Sequence, residues 1–490
     1  MAQHVTIHGH FYQPPREDPW TGLIDEQPGA APFHDWNERV HAECYRPNAF
    51  VTIPGPDGDV VVNNFEKLSF NVGPTLMSWM ETADPETYDR IIQGDRTSLA
   101  RSGKGNAIAQ SYHHTILPLS NVRDCRTQVR WGLADFRHRF GRDAQGLWLP
   151  ETAANDEVLA ILIDEGVTFT ILAPGQAGAW REGDGGWIDV EEAPIDPRVG
   201  YRYEHPDGSG RALSLLFYEG DIARAIAFEN AGSSAEGFLS LFAERSLDGC
   251  SLVHAATDGE TYGHHHRFSD LGLAYALFVE AERAGLNVVN YAAFLDMCPP
   301  RHEARLKKGE GTSWSCAHGV GRWKEHCGCS TGGEPGWEQQ WRAPLREALE
   351  IVRDAADEIF ERLGRELIHD PWSARDEYIH VLLGATGIED LVKEHSFGPV
   401  TSETLARATD LLELQRNSMA MFTSCGWFFN DIGGIETIQV LRYAARTLDL
   451  LEELGGPVPA DRFTTILSGA SSNDPELGTG ADIFAAIAKP

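Results

Sequence analysis

Two carboxylates in this chain stand where apolar runs give out. Gly146-Leu-Trp-Leu-Pro-Glu151 ends in an acid, and Ser251-Leu-Val-His-Ala-Ala256 leads into Thr257-Asp258-Gly-Glu260-Thr-Tyr-Gly263-His264-His265-His266. A buried strand that ends in acids, glycines and imidazoles has the makeup of a catalytic rim rather than of a core. Paired carboxylates across a pocket suit glycoside cleavage. One stays ionised to attack the anomeric carbon or activate water, and the other stays protonated to supply the leaving oxygen. Burial or a like charge nearby raises the pKa of the second, and Glu260, two residues from Asp258, is a source of that repulsion. Taken singly each acid is a weak signal, because a chain with 73 Asp and Glu places several at strand ends by chance.

Histidines form the second constellation. His8 and His10 are two residues apart, so on a strand both point to one side. His113 and His114 sit at another strand-like end, and His264–His266 follow Asp258. These residues keep a different chemistry open, a metal-dependent carbohydrate deacetylase with His and Asp ligands, in which Glu151 has no task. A non-catalytic glycan-binding barrel protein is a third reading, against which the presence of both acids counts. A compact segment, Trp314-Ser-Cys316-Ala-His318 through Trp323 to His326-Cys327-Gly-Cys329, offers soft ligands for zinc at a spacing unlike a Cys-x-x-Cys knuckle. It also fits a redox-sensitive pair, or an active-site lid with Trp314 or Trp323 as a platform for a sugar ring.

The elements that must position these groups can be read from periodicity. Short apolar runs over 5–8, 68–72, 146–151, 168–173, 213–218 and 251–256 read as strands, and helical spacing follows after Pro74, over 124–140, 155–166 and 270–284. Strands alternating with helices over about 300 residues imply parallel βα units, so an α/β class with a (β/α) barrel is expected. Residues 16–60 read as a long loop, and 175–210 as another loop or a hairpin excursion. From Trp341, apolar residues at 345, 349, 352, 356, 359, 363 and 367 step by three or four, one face of a long helix. The division expected is a catalytic barrel over 1–304, a Cys/His/Trp loop over 305–335, an α-helical domain over 336–455 and an irregular tail over 456–490.

Composition narrows the partners. The 490 residues carry 41 Lys and Arg against 73 Asp and Glu, a net charge of −32. Phosphate binding needs a basic face, which argues against nucleic acid or an anionic membrane. Thirteen Trp and 12 Tyr suit sugar rings as well as cores. The first residues lack a basic region before an apolar run, no stretch of 18 apolar residues occurs, and the eight Cys are mostly scattered. A cytoplasmic protein is expected.

Five stretches in order carry a family resemblance. His8-Gly-His10 with Gln13-Pro14 resembles the His-x-His-Gln-Pro motif of glycoside hydrolase family 57, with Phe11 and Tyr12 inserted. Ser69–Leu76 resembles that family's second motif, Leu147–Glu151 its third and Thr257–Gly263 its fourth. Trp427–Ile435 with Leu441-Arg442 is similar to the fifth. The resemblance implies a distorted (β/α)7 barrel followed by a C-terminal α-helical domain. It also implies a retaining α-glucan hydrolase or transglycosylase of the α-amylase, 4-α-glucanotransferase or branching type. Glu151 would be its nucleophile and Asp258 its general acid/base. The expected partner is an α-glucan or maltooligosaccharide, with no cofactor and no catalytic metal. His8, His10, Gln13, His114, Trp148, Glu260, His264, His265, Trp314, Trp323, Trp427 and Asp431 are the candidate substrate contacts. His264–His266 stand where better-known members often carry an aromatic residue.

Overall fold

The computed structural model describes residues 3–55, 57–243 and 250–487. The chain divides into two compact units that interleave in sequence. The first is Met1–Gln13, Glu26–Gln110 and Arg139–Trp314, and the second is Pro14–Asp25, Ser111–His138 and Ser315–Pro490.

In the first unit the strand His4–Phe11 is buried along nearly its whole length. Val5 and Ile7 alternate with His8 and His10, so both faces are covered, as is typical of strands inside parallel sheets. It pairs in parallel with Leu252–Asp258, Asn287–Val288 and Ser69–Val72. The register sets His10 beside Asp258 on one side and beside Asn71 on the other. Parallel neighbours need long crossovers, and the helices Pro74–Ala83 and Pro85–Ser102 supply one of them. Pro74 occupies a first helical turn, where its missing N–H costs nothing, and Asp84 caps the next helix by accepting from the Thr87 N–H at 3.2 Å.

Further parallel ladders join Ala109–Gln110 to Leu147–Trp148 and Phe169–Leu172 to Ala212–Phe217. Single parallel bridges link Phe70 to Ala107 and Gly146 to Phe169. The ladders form four separate sheets, and no continuous ladder joins them into a closed barrel among the described residues. The architecture is a mixed α/β unit with a C-terminal helical region.

The stretch expected to be a long loop carries structure, and the one expected to be a loop or a hairpin excursion takes the second form. Residues within 16–60 hold the helix Trp36–Val40, capped by Asp35, and a hairpin of Val51–Gly55 with Gly58–Val62. Residues 175–210 run as strands Ala177–Glu182, Ile188–Asp189 and Gly200–Glu204, joined to Ala212–Phe217 and His302–Leu306 in one six-stranded sheet. A disulfide joins Cys250 to Cys298.

The second unit is helical. Its long helix, Arg342–Leu367, buries Leu345, Leu349, Val352, Ala356, Ile359 and Leu363, the face that the spacing predicts. Ser402–Ala420 and Ile435–Glu453 pack beside it. Residues 14–25 belong here because Trp20 Nε1 donates to Asp449 Oδ2 at 2.9 Å and Gln439 Nε2 to the Glu17 carbonyl at 2.8 Å. Residues 111–138 belong here through Arg375, which is fully buried and donates to Asp124 Oδ1 (2.6 Å) and Thr127 Oγ1 (2.7 Å). The stretch expected to be an irregular tail contains the helices Ala460–Leu467 and Gly480–Ile487, with Phe463, Leu467 and Ile483 buried. Among the described residues, no helix is long and apolar enough to cross a membrane.

Candidate active site

Asp258 ends the strand Leu252–Asp258, and Glu151 follows the two-residue strand Leu147–Trp148. Asp258 keeps accessible surface at the end of a strand that is otherwise buried, yet protein crowds it on its sides. Burial pushes its carboxyl well above the usual carboxylate range, and the negative charges of Glu260 and Glu151 add to the rise. Tyr218, nine-tenths buried, is raised in turn by burial and by the charge of Asp258.

Glu151 has φ of 57° and Thr152 has φ of 51°. Two consecutive non-glycine residues in the left-handed region are costly, the β-branched threonine most of all. A buried amide holds them there. Thr152 Oγ1 donates to Gln176 Oε1 at 2.8 Å, and Gln176 Nε2 donates to the Thr152 carbonyl at 2.7 Å. The Glu151 carboxylate accepts from Trp314 Nε1 at 2.9 Å, and its carbonyl accepts from the Trp314 N–H at 3.1 Å.

An aromatic wall stands beside the acids. His8 and His10 both stack on Trp148, with ring centroids 4.7 and 5.2 Å away, so the two histidines do share one side of their strand. Trp314 meets Trp148 edge to face at 5.2 Å and Tyr218 at 6.4 Å. Burial lowers both His8 and His10 to about 3, so both rings are neutral. Asn71 connects them. Its Oδ1 accepts from His8 Nε2 at 3.1 Å and its Nδ2 donates to His10 Nδ1 at 2.8 Å, which leaves the His10 proton on Nε2. Asn71 Nδ2 also donates to Gln110 Oε1 at 2.7 Å. Among the described residues, Trp148 Nε1 and Gln110 Nε2 are buried donors with no protein acceptor.

Glu260 lies behind this rim, buried, and burial pushes its carboxyl up to about 7 despite hydrogen bonds that oppose the rise. Its Oε1 accepts from Tyr45 Oη at 2.6 Å and from the Tyr12 N–H at 2.9 Å. The inserted Phe11-Tyr12 pair is thereby tied to the Asp258 loop. Gly259 lets that loop approach, since a Cβ there would collide with the Phe11 ring. Gly263 has φ of 131°, a conformation open to glycine, and a Cβ there would collide with the Glu43 carbonyl.

Other expected contacts fall elsewhere. His8 is fully buried with Nδ1 on Ser69 Oγ and Nε2 on Asn71, so it backs the wall rather than facing a ligand. Gln13 is nearly buried, and its carbonyl accepts from Thr75 Oγ1 at 3.0 Å. His264 pairs with Glu43, while His265 keeps exposed surface and is lowered to about 4 by burial and its histidine neighbours. His114, Trp323, Trp427 and Asp431 belong to the second unit. Trp323 and Trp427 are 0% exposed and present no face to a sugar, because both are packed as core. His114 is buried against Ser424, and Asp431 accepts from Gly433 N–H, Ser472 Oγ and Asn473 N–H as a local clamp.

The histidines at 8, 10, 113, 114 and 264–266 do not gather into a metal-ligand set. Among the described residues, the one such cluster is Cys316, His318, Cys327 and Cys329 in the second unit. Asn71, Gln110, Gln176 and Tyr218 are site residues that spacing did not single out. Asn71 and Gln110 had one signal, a polar residue at the end of a short apolar strand.

The model of glycosyl hydrolase family 57 matches residues 31–307, and a domain of unknown function (DUF3536) matches 337–490. An α-amylase of Pyrococcus abyssi is 22% identical over 135 residues, 28% of this chain and 18% of that protein. A 4-α-glucanotransferase of Thermococcus litoralis is 24% identical over 155 residues, 29% of this chain and 22% of that protein. The matches thus span less than a quarter of those relatives' length. The solved structure of an exo-type maltose-forming amylase from Pyrococcus sp. ST04 superposes with a TM-score of 0.73 at 14% identity, covering 95% of this chain and 83% of that one. With more than half of its length matched by the family model, the chain belongs to glycosyl hydrolase family 57.

Proposed function

We propose that the protein is a retaining α-glucan hydrolase or transglycosylase in which Glu151 is the nucleophile and Asp258 the acid/base. The observation that carries this reading is the asymmetry of the two acids. Asp258 is driven toward its protonated form by burial and by two like charges, whereas Glu151 accepts an indole N–H. One acid and one base is the division of labour that glycoside cleavage needs. The names of the relatives, amylase and 4-α-glucanotransferase, favour an α-glucan as substrate.

In the first step a Glu151 oxygen attacks C1 as the bond from C1 to the glycosidic oxygen breaks, and Asp258 gives its proton to that oxygen. In the second step Asp258 takes a proton from water, or from a sugar hydroxyl, whose oxygen attacks C1 and releases Glu151. Water gives hydrolysis and a sugar gives transfer. The carboxyl groups of a retaining pair stand about 5–5.5 Å apart, against roughly 6.5–9.5 Å for inversion. His10, protonated on Nε2, and the buried donors of Trp148 and Gln110 are suited to sugar hydroxyls, since an unmatched buried donor costs about 1–3 kcal/mol until it finds an acceptor.

We further read the seven parallel strands from His4–Phe11 to Leu252–Asp258 as a distorted seven-stranded barrel. Supporting this are the single bridges between the sheets and the Glu219 N–H donating to the His254 carbonyl at 2.8 Å.

Incubating the protein with maltooligosaccharides, while following product lengths and the anomer first released, tests the chemistry. The α anomer is expected, and Glu151→Gln and Asp258→Asn are each expected to lose on the order of a thousandfold or more in kcat. Activity surviving both substitutions, or release of the β anomer, overturns the mechanism.

A further inference from the structure

The second unit gathers four soft ligands to which the carboxylate chemistry gives no role. The ligand atoms of Cys316, His318, Cys327 and Cys329 all lie within 4.8 Å of one another. Cys316 Sγ and Cys327 Sγ are 3.8 Å apart, and Cys329 Sγ is 3.5 Å from His318 Nδ1. Zinc held tetrahedrally, with Zn–S of about 2.3 Å and Zn–N of about 2.0–2.1 Å, sets sulfurs about 3.8 Å apart and sulfur and nitrogen about 3.6 Å apart. Both observed separations match the edges of that tetrahedron, and the sulfur pair is far beyond the roughly 2.05 Å of a disulfide.

We propose that Cys316, His318, Cys327 and Cys329 form a structural zinc site. Four protein ligands close the coordination shell, which leaves no position for substrate or water and separates this site from a catalytic metal centre. On binding, three thiols release their protons to solvent and no group is oxidised or reduced.

Local geometry is built for the four groups. Gly319 and Gly328 take left-handed φ values of 77° and 84°, so the chain reverses tightly beside both ligand pairs. Gly321 lies where the two arms meet, since a Cβ there would come within 3.1 Å of the Cys327 Cβ and 3.5 Å of the His318 Cβ. His326, adjacent in sequence to Cys327, is used otherwise, its Nδ1 accepting from the Gln339 N–H at 3.2 Å. The segment has little regular structure besides the turn Gly321–Trp323, so a cross-link would supply what backbone ladders do not.

Charge is the independent observation. Arg342 is 0% exposed and Arg322 is 5% exposed. Arg342 donates to the carbonyls of Cys329 (2.9 Å), Phe429 (3.3 Å) and Phe428 (3.5 Å). Arg322 donates to those of Phe428 and Ser315, both at 3.0 Å. Among the described residues these acceptors are all neutral carbonyls, and a buried cation is costly without a counter-charge. Zinc with three thiolates and one imidazole carries one net negative charge, placed directly beside these guanidinium groups.

The test is metal analysis of the full chain, purified under reducing conditions without chelator. One zinc per chain is expected, and replacement by Co2+ should give the thiolate charge-transfer absorption and intense visible bands of a tetrahedral sulfur site. Cys327→Ser and Cys329→Ser should lose the metal, Cys425→Ser should retain it, and His318→Cys should retain it with an altered cobalt spectrum. Should the serine variants fail to fold, the wild-type protein decides alone. Chelator should make three thiols newly reactive and lower Tm, and Zn2+ should reverse both. Failure to retain zinc after reconstitution, an octahedral cobalt spectrum, or a Cys316–Cys327 disulfide found by mass spectrometry overturns the proposal. None of these outcomes depends on the activity assigned to Glu151 and Asp258.

Discussion

Trp314 holds Glu151 twice, donating its indole N–H to Oε2 at 2.9 Å and its backbone N–H to the carbonyl at 3.1 Å. The same indole packs edge to face on Trp148 and Tyr218, so one side chain both lines the wall and orients the acid. A hydrogen bond to a charged group contributes about 1.5–3 kcal/mol. Trp314→Phe keeps most of the ring and removes the donor, and is expected to lower kcat/KM about ten- to a hundredfold. Steady-state kinetics on a maltooligosaccharide would measure this, and an unchanged kcat/KM would mean that the indole only packs.

Gln176 positions the acid from behind. It is buried and bonds both the hydroxyl and the carbonyl of Thr152, the second residue of the left-handed pair. Gln176→Leu removes these ties without opening a cavity, so the strained turn at Glu151 should relax. A fall in kcat of about tenfold or more is expected with KM little changed, because a displaced nucleophile loses alignment more than it loses binding. A change confined to KM would count against this positioning role.

Glu260 should tune the working pH. A general acid is active while protonated, so the alkaline limb of kcat/KM follows the pKa of Asp258. Burial raises that pKa first, and the charges of Glu260 and Glu151 raise it further. Glu260→Gln keeps an oxygen for Tyr45 and the Tyr12 N–H but removes one charge, so the limb should move to lower pH. Comparing pH–rate profiles of the two proteins tests this, and an alkaline limb that stays in place would sink the assignment.

What could be read from the chain follows a physical division. Acids at the ends of Leu147–Trp148 and Leu252–Asp258 were visible because apolar runs stop there, and the shared side of His8 and His10 because a strand repeats every two residues. The helix from Arg342 was visible because its apolar residues repeat at helical spacing. Which histidine contacts a ligand was not visible, since His8 is committed by Ser69 and Asn71, about 60 residues away. Nor was the burial of Trp323 and Trp427, because an isolated tryptophan reads alike as platform or core until its neighbours are placed. The interleaving of the units rests on long-range pairs such as Trp20 with Asp449 and Arg375 with Asp124. No local pattern announces those.

Acid sensitivity of the first unit should trace in part to His254. This fully buried ring pairs through Nδ1 with Tyr291 Oη at 3.0 Å and donates from Nε2 to the Pro197 carbonyl at 3.1 Å. Burial lowers its pKa from 6.5 to about 4, against backbone hydrogen bonds that oppose the shift. For a depressed histidine the stabilisation is present above the unfolded value of 6.5 and is lost as pH falls toward the folded value near 4. That shift corresponds to about 3 kcal/mol. His254→Gln keeps a donor for Pro197 and cannot titrate. It should be the less stable protein at pH 7, by about 1–3 kcal/mol for the lost partner of Tyr291. Between pH 6.5 and 4 the gap to wild type should narrow or reverse. Denaturation curves of both proteins across that range measure the gap, and one that stays constant with pH would place the acid sensitivity at other buried histidines.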